Sequence, residues 1–257
     1  MINTLQSIIL GIVEGFTEFL PISSTAHLTL ASDLLKIAQT NYAKTFEIAI
    51  QSGSILAVVV LYWKKFWDWE ILKRIIVAFI PTGILGLIFY KIVKNYLLGN
   101  LAVVLWSLAV GGFLLILFEY LFSRTDSIND VKKISYGQSA GIGLCQSVAM
   151  IPGVSRSAAT IVGGMLLGVK REAIVEFSFL LAVPTMLAAT GLDLLKSYKD
   201  ISSSQFSVLG IGFVVSFLAA IISIKWLLNY VKKHTFTSFG IYRILLVATV
   251  IILIIKF

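Results

Sequence analysis

Two apolar stretches of this chain, residues 3–36 and 135–168, are broken in the middle and carry charge where charge is expensive. In the first, Glu14, Glu18 and His27 flank Pro21-Ile22-Ser23-Ser24-Thr25. In the second, the break runs Pro152-Gly153-Val154-Ser155-Arg156-Ser157. Proline removes a backbone donor and ends a helix. Each stretch is left as two apolar pieces of roughly 15 residues, short of the ~20 that cross a bilayer. Backbone opened at membrane depth is tolerated only where protein buries it or a wet cavity meets it. Ionisable groups in such segments mark function by default. The pattern predicts two re-entrant helix–loop–helix hairpins.

Six further stretches read as full spans: about 42–63, 75–94, 101–122, 173–195, 205–228 and 238–256. The chain is 58% hydrophobic and 13% charged. A soluble domain is nearer a quarter charged, and a membrane β-barrel would alternate in segments of about ten residues. The expected fold is therefore an all-α polytopic membrane protein, one integral domain over residues 1–257. Trp63, Trp67, Trp69, Tyr90, Tyr96, Trp226 and Tyr230 fall near span ends, as an aromatic belt does. Cys145 is the single cysteine, which excludes an intramolecular disulfide and a cysteine metal site. The net charge of +8 comes without a basic run, so it points to anionic headgroups and no nucleic acid. No Lys or Arg precedes Lys36, so residues 1–20 lack the charged start of a signal peptide.

The two halves, approximately 1–122 and 135–257, read as repeats. Gln6-Ser7 with Gly11 matches Gln138-Ser139 with Gly143, Pro21 to Ser24 matches Pro152 to Ser155, and Phe46 matches Phe177. One hairpin and three spans per half place the second half on the opposite face, which makes the repeats inverted and lets the hairpin tips meet near the midplane. Lys and Arg divide 11 to 7 between the two sides. The richer side is the cytoplasmic one, which leaves both termini outside.

Glu14 and Glu18 share one helical face. Two like charges there call for a divalent cation, a shared proton or a neutralising arginine; Mg²⁺ or Ca²⁺ suits such oxygen ligands. Ser23, Ser24 and Thr25 can cap the next helix, but His27 lies three residues beyond Ser24, and a hydroxyl beside an imidazole is a simple activated nucleophile. Arg156 is a planar donor suited to phosphate. Around it, Gly153 lets backbone approach, Ser155 and Ser157 donate, and a helix start follows. Arg156 pairing with Glu14 or Glu18 is the structural alternative. Glu47, Gln51, Glu176 and Ser178 are weaker polar candidates, and His234, beside Lys232 and Lys233, reads as solvated.

The two motifs, Glu14-Gly-Phe-Thr-Glu18-Phe-Leu-Pro-Ile-Ser-Ser-Thr-Ala-His27 and Pro152-Gly-Val-Ser-Arg156-Ser-Ala-Ala-Thr160, resemble those of the undecaprenyl-diphosphate phosphatase family of the bacitracin-resistance type. Ala26 and Ala158 stand where many members carry glycine. The resemblance covers essentially the whole chain. It implies hydrolysis of a C55 polyprenyl diphosphate to the monophosphate, recycling the lipid carrier for cell-wall synthesis, and dependence on a divalent cation. It also implies a plasma-membrane site that opens outward. On that reading Glu14 and Glu18 hold the metal, and Ser23, Thr25, Gly153, Ser155, Arg156 and Ser157 bind phosphate. Ser24 is the nucleophile and His27 its acid–base partner, with His27 itself as the alternative nucleophile. Inverted repeats with a midplane site equally suit a secondary transporter or flippase of an anionic lipid. The oligomeric state stays open, a homodimer included.

Overall fold

A computed structural model describes residues 2–38, 40–122, 128–197 and 205–256. They form ten α-helices and short 3₁₀ and π turns. Among the described residues the extended pairing is one isolated bridge, Ile128 with Val169. Six helices are long and apolar enough to cross a membrane: α3 (Asn41–Phe66), α4 (Trp69–Ile92), α5 (Leu101–Leu121), α8 (Arg171–Ser197), α9 (Phe206–Tyr230) and α10 (Thr237–Lys256). They fall on the six expected spans, and the protein is a multi-pass membrane protein. Helix α4 starts six residues before its apolar core, because its first turn settles its own charges. Asp68 caps it, and Glu70 pairs with both Lys73 and Arg74.

The two broken stretches form four short helices, α1 (Thr4–Thr17), α2 (Ser24–Leu34), α6 (Tyr136–Ser147) and α7 (Arg156–Leu166). At 1.5 Å per residue the longest reaches only about 21 Å, against a hydrocarbon core of about 30 Å. Both pairs are built alike. Asn3 and Ser135 open α1 and α6 with capping boxes closed by Gln6 and Gln138. The amides of those glutamines then reach the carbonyls that end α2 and α7: Gln6 Nε2 to Leu35 at 3.2 Å and Gln138 Nε2 to Leu167 at 2.8 Å. Ser23 and Ser155 cap α2 and α7 with positive φ, 70° and 79°. A non-glycine residue held there costs about 1–3 kcal/mol and persists only where its surroundings enforce it. The equivalent caps are thus Ser23 and Ser155, which puts Ser24 opposite Arg156 rather than opposite Ser155. With that pairing Gly153 falls opposite Pro21, because proline stands two residues before the cap in the first break and three before it in the second; Gly153 has φ 94° and no room for a Cβ, which would lie 2.5 Å from the Val104 carbonyl.

The first helix of each pair is seated by glycine on a long helix of the other half. Helix α1 packs on α9, where a Cβ on Gly15 would collide with the Ser216 carbonyl. Helix α6 packs on α4, where one on Gly143 would collide with that of Ala78. Small residues that let backbones approach are the usual basis of helix packing in lipid. Helices α5 and α10 pair through Gly112 and Gly240, and α3 packs on both α8 and α9. Helix α8 is the central one: Phe177, Phe179, Leu180, Leu181 and Ala182 are fully buried. By contrast α4 and α10 present most of their apolar surface outward.

Candidate active site

The ends of α1 and α7 meet at Glu18. Its Oε2 accepts a hydrogen bond from Ser24 Oγ at 2.5 Å, and its Oε1 accepts one from Arg156 Nη2 at 2.9 Å. Both distances belong to charge-assisted bonds, the stronger class. Ser24 is the first residue of α2, so its side chain reaches back across the break to the end of α1. Arg156 is in turn the first residue of α7. Its Nη1 donates to the Ser178 carbonyl at 2.9 Å, and its guanidinium sits 5.7 Å from the Phe19 ring centroid. Thr160 and Ser178 share a 2.6 Å hydrogen bond beneath it. Two breaks some 130 residues apart in the chain therefore join in one buried cluster.

His27 does not bond to Ser24. Its Nδ1 donates to the Ser23 carbonyl at 2.8 Å, and its Nε2 faces the Tyr242 hydroxyl at 2.7 Å. The Ser23 and Ser155 hydroxyls accept from the amides of Ala26 and Ala158, and their own protons stay available. Ser157 is fully buried, and no hydrogen-bond partner reaches its Oγ. Thr25 is exposed at the edge of the cluster. The Gly153 carbonyl accepts from Arg243.

Glu14 is fully buried, and no donor reaches either carboxylate oxygen. The charged groups that act on it are Glu18, Glu47 and Arg156. Orphaned buried oxygens beside a second carboxylate are the donor set that a hard divalent cation takes, so the residues fit such an ion. No cluster of three or more His, Cys, Asp or Glu side chains suited to a metal occurs among the described residues. Glu14 and Glu18 are the residues that would hold such a cation, and with so few protein ligands it would keep several waters, as Mg²⁺ usually does.

The sequence reading overlooked Arg243. It is fully buried in α10 and donates to five backbone carbonyls: Ser107 and Leu108 of α5, Pro21 in the first break, and Gly153 and Val154 in the second. One guanidinium pins both breaks. An arginine in mid-span was the signal, because an ionisable group inside an apolar helix turns inward to a partner. A cavity of about 660 Å³ lined by Tyr62, Lys65, Asp130, Glu172 and Lys232, among others, includes none of the cluster residues.

The profile of the family described as "Bacitracin resistance protein BacA" matches residues 7–249. The chain belongs to the BacA family. It is 54% identical over 245 residues to an "Undecaprenyl-diphosphatase" of Sulfurihydrogenibium sp. (strain YO3AOP1), which covers 95% of this chain and 96% of the relative. It is 52% identical to one from Aquifex aeolicus (strain VF5), covering 94% of each. It is 44% identical to one from Thermus thermophilus, covering 96% of each. The BacA match takes in every residue of the cluster around Glu18, from Glu14 to Arg243.

Proposed function

We propose that this BacA-family protein is a membrane phosphatase that hydrolyses undecaprenyl diphosphate to the monophosphate and phosphate, so returning the lipid carrier to cell-wall synthesis. One observation carries the mechanism: a single carboxylate, Glu18, holds both a serine hydroxyl and the arginine of the opposite break. A carrier of anionic lipid needs the arginine but has no use for a hydroxyl already bonded to a base.

Ser24 Oγ attacks the terminal phosphorus, its proton passes to Glu18, and the bridging oxygen leaves with the prenyl monophosphate. Arg156, the Ser155 and Ser157 hydroxyls, and the free amides at the starts of α2 and α7 neutralise the charge spread over the phosphoryl oxygens. Ser23 and Thr25 contribute from the first break. Water then attacks the phosphoserine phosphorus and gives a proton to His27, whose Nε2 carries the lone pair because Nδ1 donates to a carbonyl; the bond from phosphorus to Ser24 Oγ breaks, Oγ takes back the proton held by Glu18, and phosphate departs. Glu14 and Glu18 would hold a divalent cation, which would supply charge neutralisation at the diphosphate. The prenyl tail stays in the lipid.

The same reading covers topology. The two short-helix pairs act as re-entrant hairpins of inverted repeats, supported by their matched caps and by α1 on α9 mirroring α6 on α4. The excess of Lys and Arg on one side puts both termini outside and the first hairpin's entry on the outer face. Purified protein in detergent micelles, with no second compartment, should release phosphate from undecaprenyl diphosphate and lose that activity to chelator. Ser24→Ala should abolish a trapped phosphoenzyme. Lipid movement in vesicles without phosphate release refutes the hydrolase, and turnover by Ser24→Ala removes Ser24 from its role.

A further inference from the structure

Helix α10 supplies a second group beside Arg243. Tyr242 is the next residue back, and its hydroxyl lies 2.7 Å from His27 Nε2, with the two rings parallel at 4° and their centroids 5.6 Å apart. The other ring nitrogen sets the tautomer. Nδ1 faces the Ser23 carbonyl, which only accepts, so Nδ1 carries the proton. Nε2 is then an acceptor in the neutral ring, and the Tyr242 hydroxyl donates to it. The hydroxyl's own lone pairs stay open, on a residue 43% exposed. Arg243 is the ionised group that acts on the ring from α10. Tyr242 has no other task visible in the fold.

We propose that Tyr242 is a positioning residue for the phosphatase reaction: it fixes the tautomer of His27 and links its Nε2 to water at the rim of the site. A proton leaving that water passes to Tyr242 Oη as the phenolic proton passes to Nε2, so the phenol stays neutral and the imidazole becomes imidazolium. Deprotonation of the ring reverses the path. This rests on the assignment of His27 to the phosphoserine step.

Tyr242→Phe keeps the ring and removes only the hydroxyl. The chain contains two histidines, His27 and the exposed His234, so ¹⁵N-imidazole spectra of detergent-solubilised protein resolve both, with His234 as internal reference. In the variant the Nε2 resonance of His27 should move and its titration should shift upward by about half to one pH unit, because a bond that favoured the neutral ring is gone. The limb of the pH–rate profile set by His27 should move with it. Rapid-quench kinetics should show the burst of prenyl monophosphate preserved and dephosphorylation slowed about tenfold or more, the lower reach of a general acid–base contribution. Tyr242→Phe with unchanged histidine spectra, pH profile and dephosphorylation overturns the proposal. His27→Gln separates the two levels. If it dephosphorylates at the parental rate, the role of His27 itself is wrong; if it is slow while Tyr242→Phe is not, only the Tyr242 assignment fails.

Discussion

The two breaks of this protein are built on one backbone plan and carry opposite chemistry. Gln6 and Gln138, Gly11 and Gly143, and Ser23 and Ser155 hold the same local positions, and each glutamine ties its helix pair together in the same way. At the positions that face the other half the pattern parts. Glu14 stands opposite Gln146, Ser24 opposite Arg156, and His27 opposite Ala159. The first break carries carboxylates, a serine hydroxyl and an imidazole; the second carries the guanidinium. Even the buried polar pair differs in its needs. Glu14 has no partner at either oxygen, whereas Gln146 Nε2 donates to Thr82 and Thr185 at 2.9 and 3.1 Å and only its Oε1 lacks a donor. Matched caps can hold two unlike sets of side chains against each other, because caps and glycine contacts fix the backbone independently of the residues gathered around Glu18.

Removing the group on which the two sets converge should have the largest effect. Glu18→Gln keeps the shape but takes away the proposed base, the carboxylate that holds both Ser24 and Arg156. We expect kcat/KM for undecaprenyl diphosphate to fall about 10³-fold or more, within the range for general bases and charge clamps. Arg156→Lys should lose about 10²-fold, because an ammonium cannot donate in two fixed directions to Glu18 and Ser178 at once. If Arg156→Lys is the worse of the two, the second break, not the first, dominates the chemistry.

Next in size is the pin between the breaks. Arg243→Met should destabilise the detergent-solubilised protein by about 3 kcal/mol or more, since it leaves several buried carbonyls without a donor at ~1–3 kcal/mol each. Thermal unfolding of the variant checks it. Retained stability means water replaces the guanidinium, and the breaks are then held by their own caps alone.

Much of this was legible beforehand, and the exceptions are instructive. The six spans and two interruptions follow from apolar length and proline position, which one-dimensional sequence carries well. So does the convergence of charged residues on the breaks. The partner of Ser24 was not legible: helical spacing pointed to His27, but Ser24 opens its helix, and a first-turn side chain can reach back over the loop to Glu18. Pairing prolines also misaligned the caps by one residue, because Pro152 stands three residues before its cap and Pro21 two, and the shared positive φ of Ser23 and Ser155 belongs to the folded backbone. Arg243 and Tyr242 lie more than 200 residues from the first break, and no local pattern ties them to it.

The caps allow a smaller and more symmetrical test. Ser23 and Ser155 combine a positive φ with an N-cap hydrogen bond. Glycine keeps the first and loses the second at a few tenths of a kcal/mol, while alanine keeps the strain and loses the cap at about 1 kcal/mol. Alanine should therefore unfold at lower temperature than glycine at both positions, and by a similar margin. Unequal margins at Ser23 and Ser155 mean that the surroundings, not the shared backbone plan, enforce one of the turns.

The smallest effect should come from the exposed contact between the first half and the segment that leads into the second. Lys132, before α6, pairs with Asp68 at the start of α4 at 2.6 Å. The hydrogen bond and charge of Lys132 hold the Asp68 carboxyl below its ordinary value. A lowered carboxyl contributes stability above its unfolded pKa, and the contribution is lost as pH falls through the lowered folded value. The pair is open to water, and such pairs contribute little. Lys132→Ala should leave the unfolding temperature at pH 7 within about 2 °C of the parent, and any difference should vanish at strongly acidic pH. A drop as large as that of Arg243→Met would relocate the junction of the halves from the buried centre to the membrane surface, and with it the reason that the two breaks keep their register.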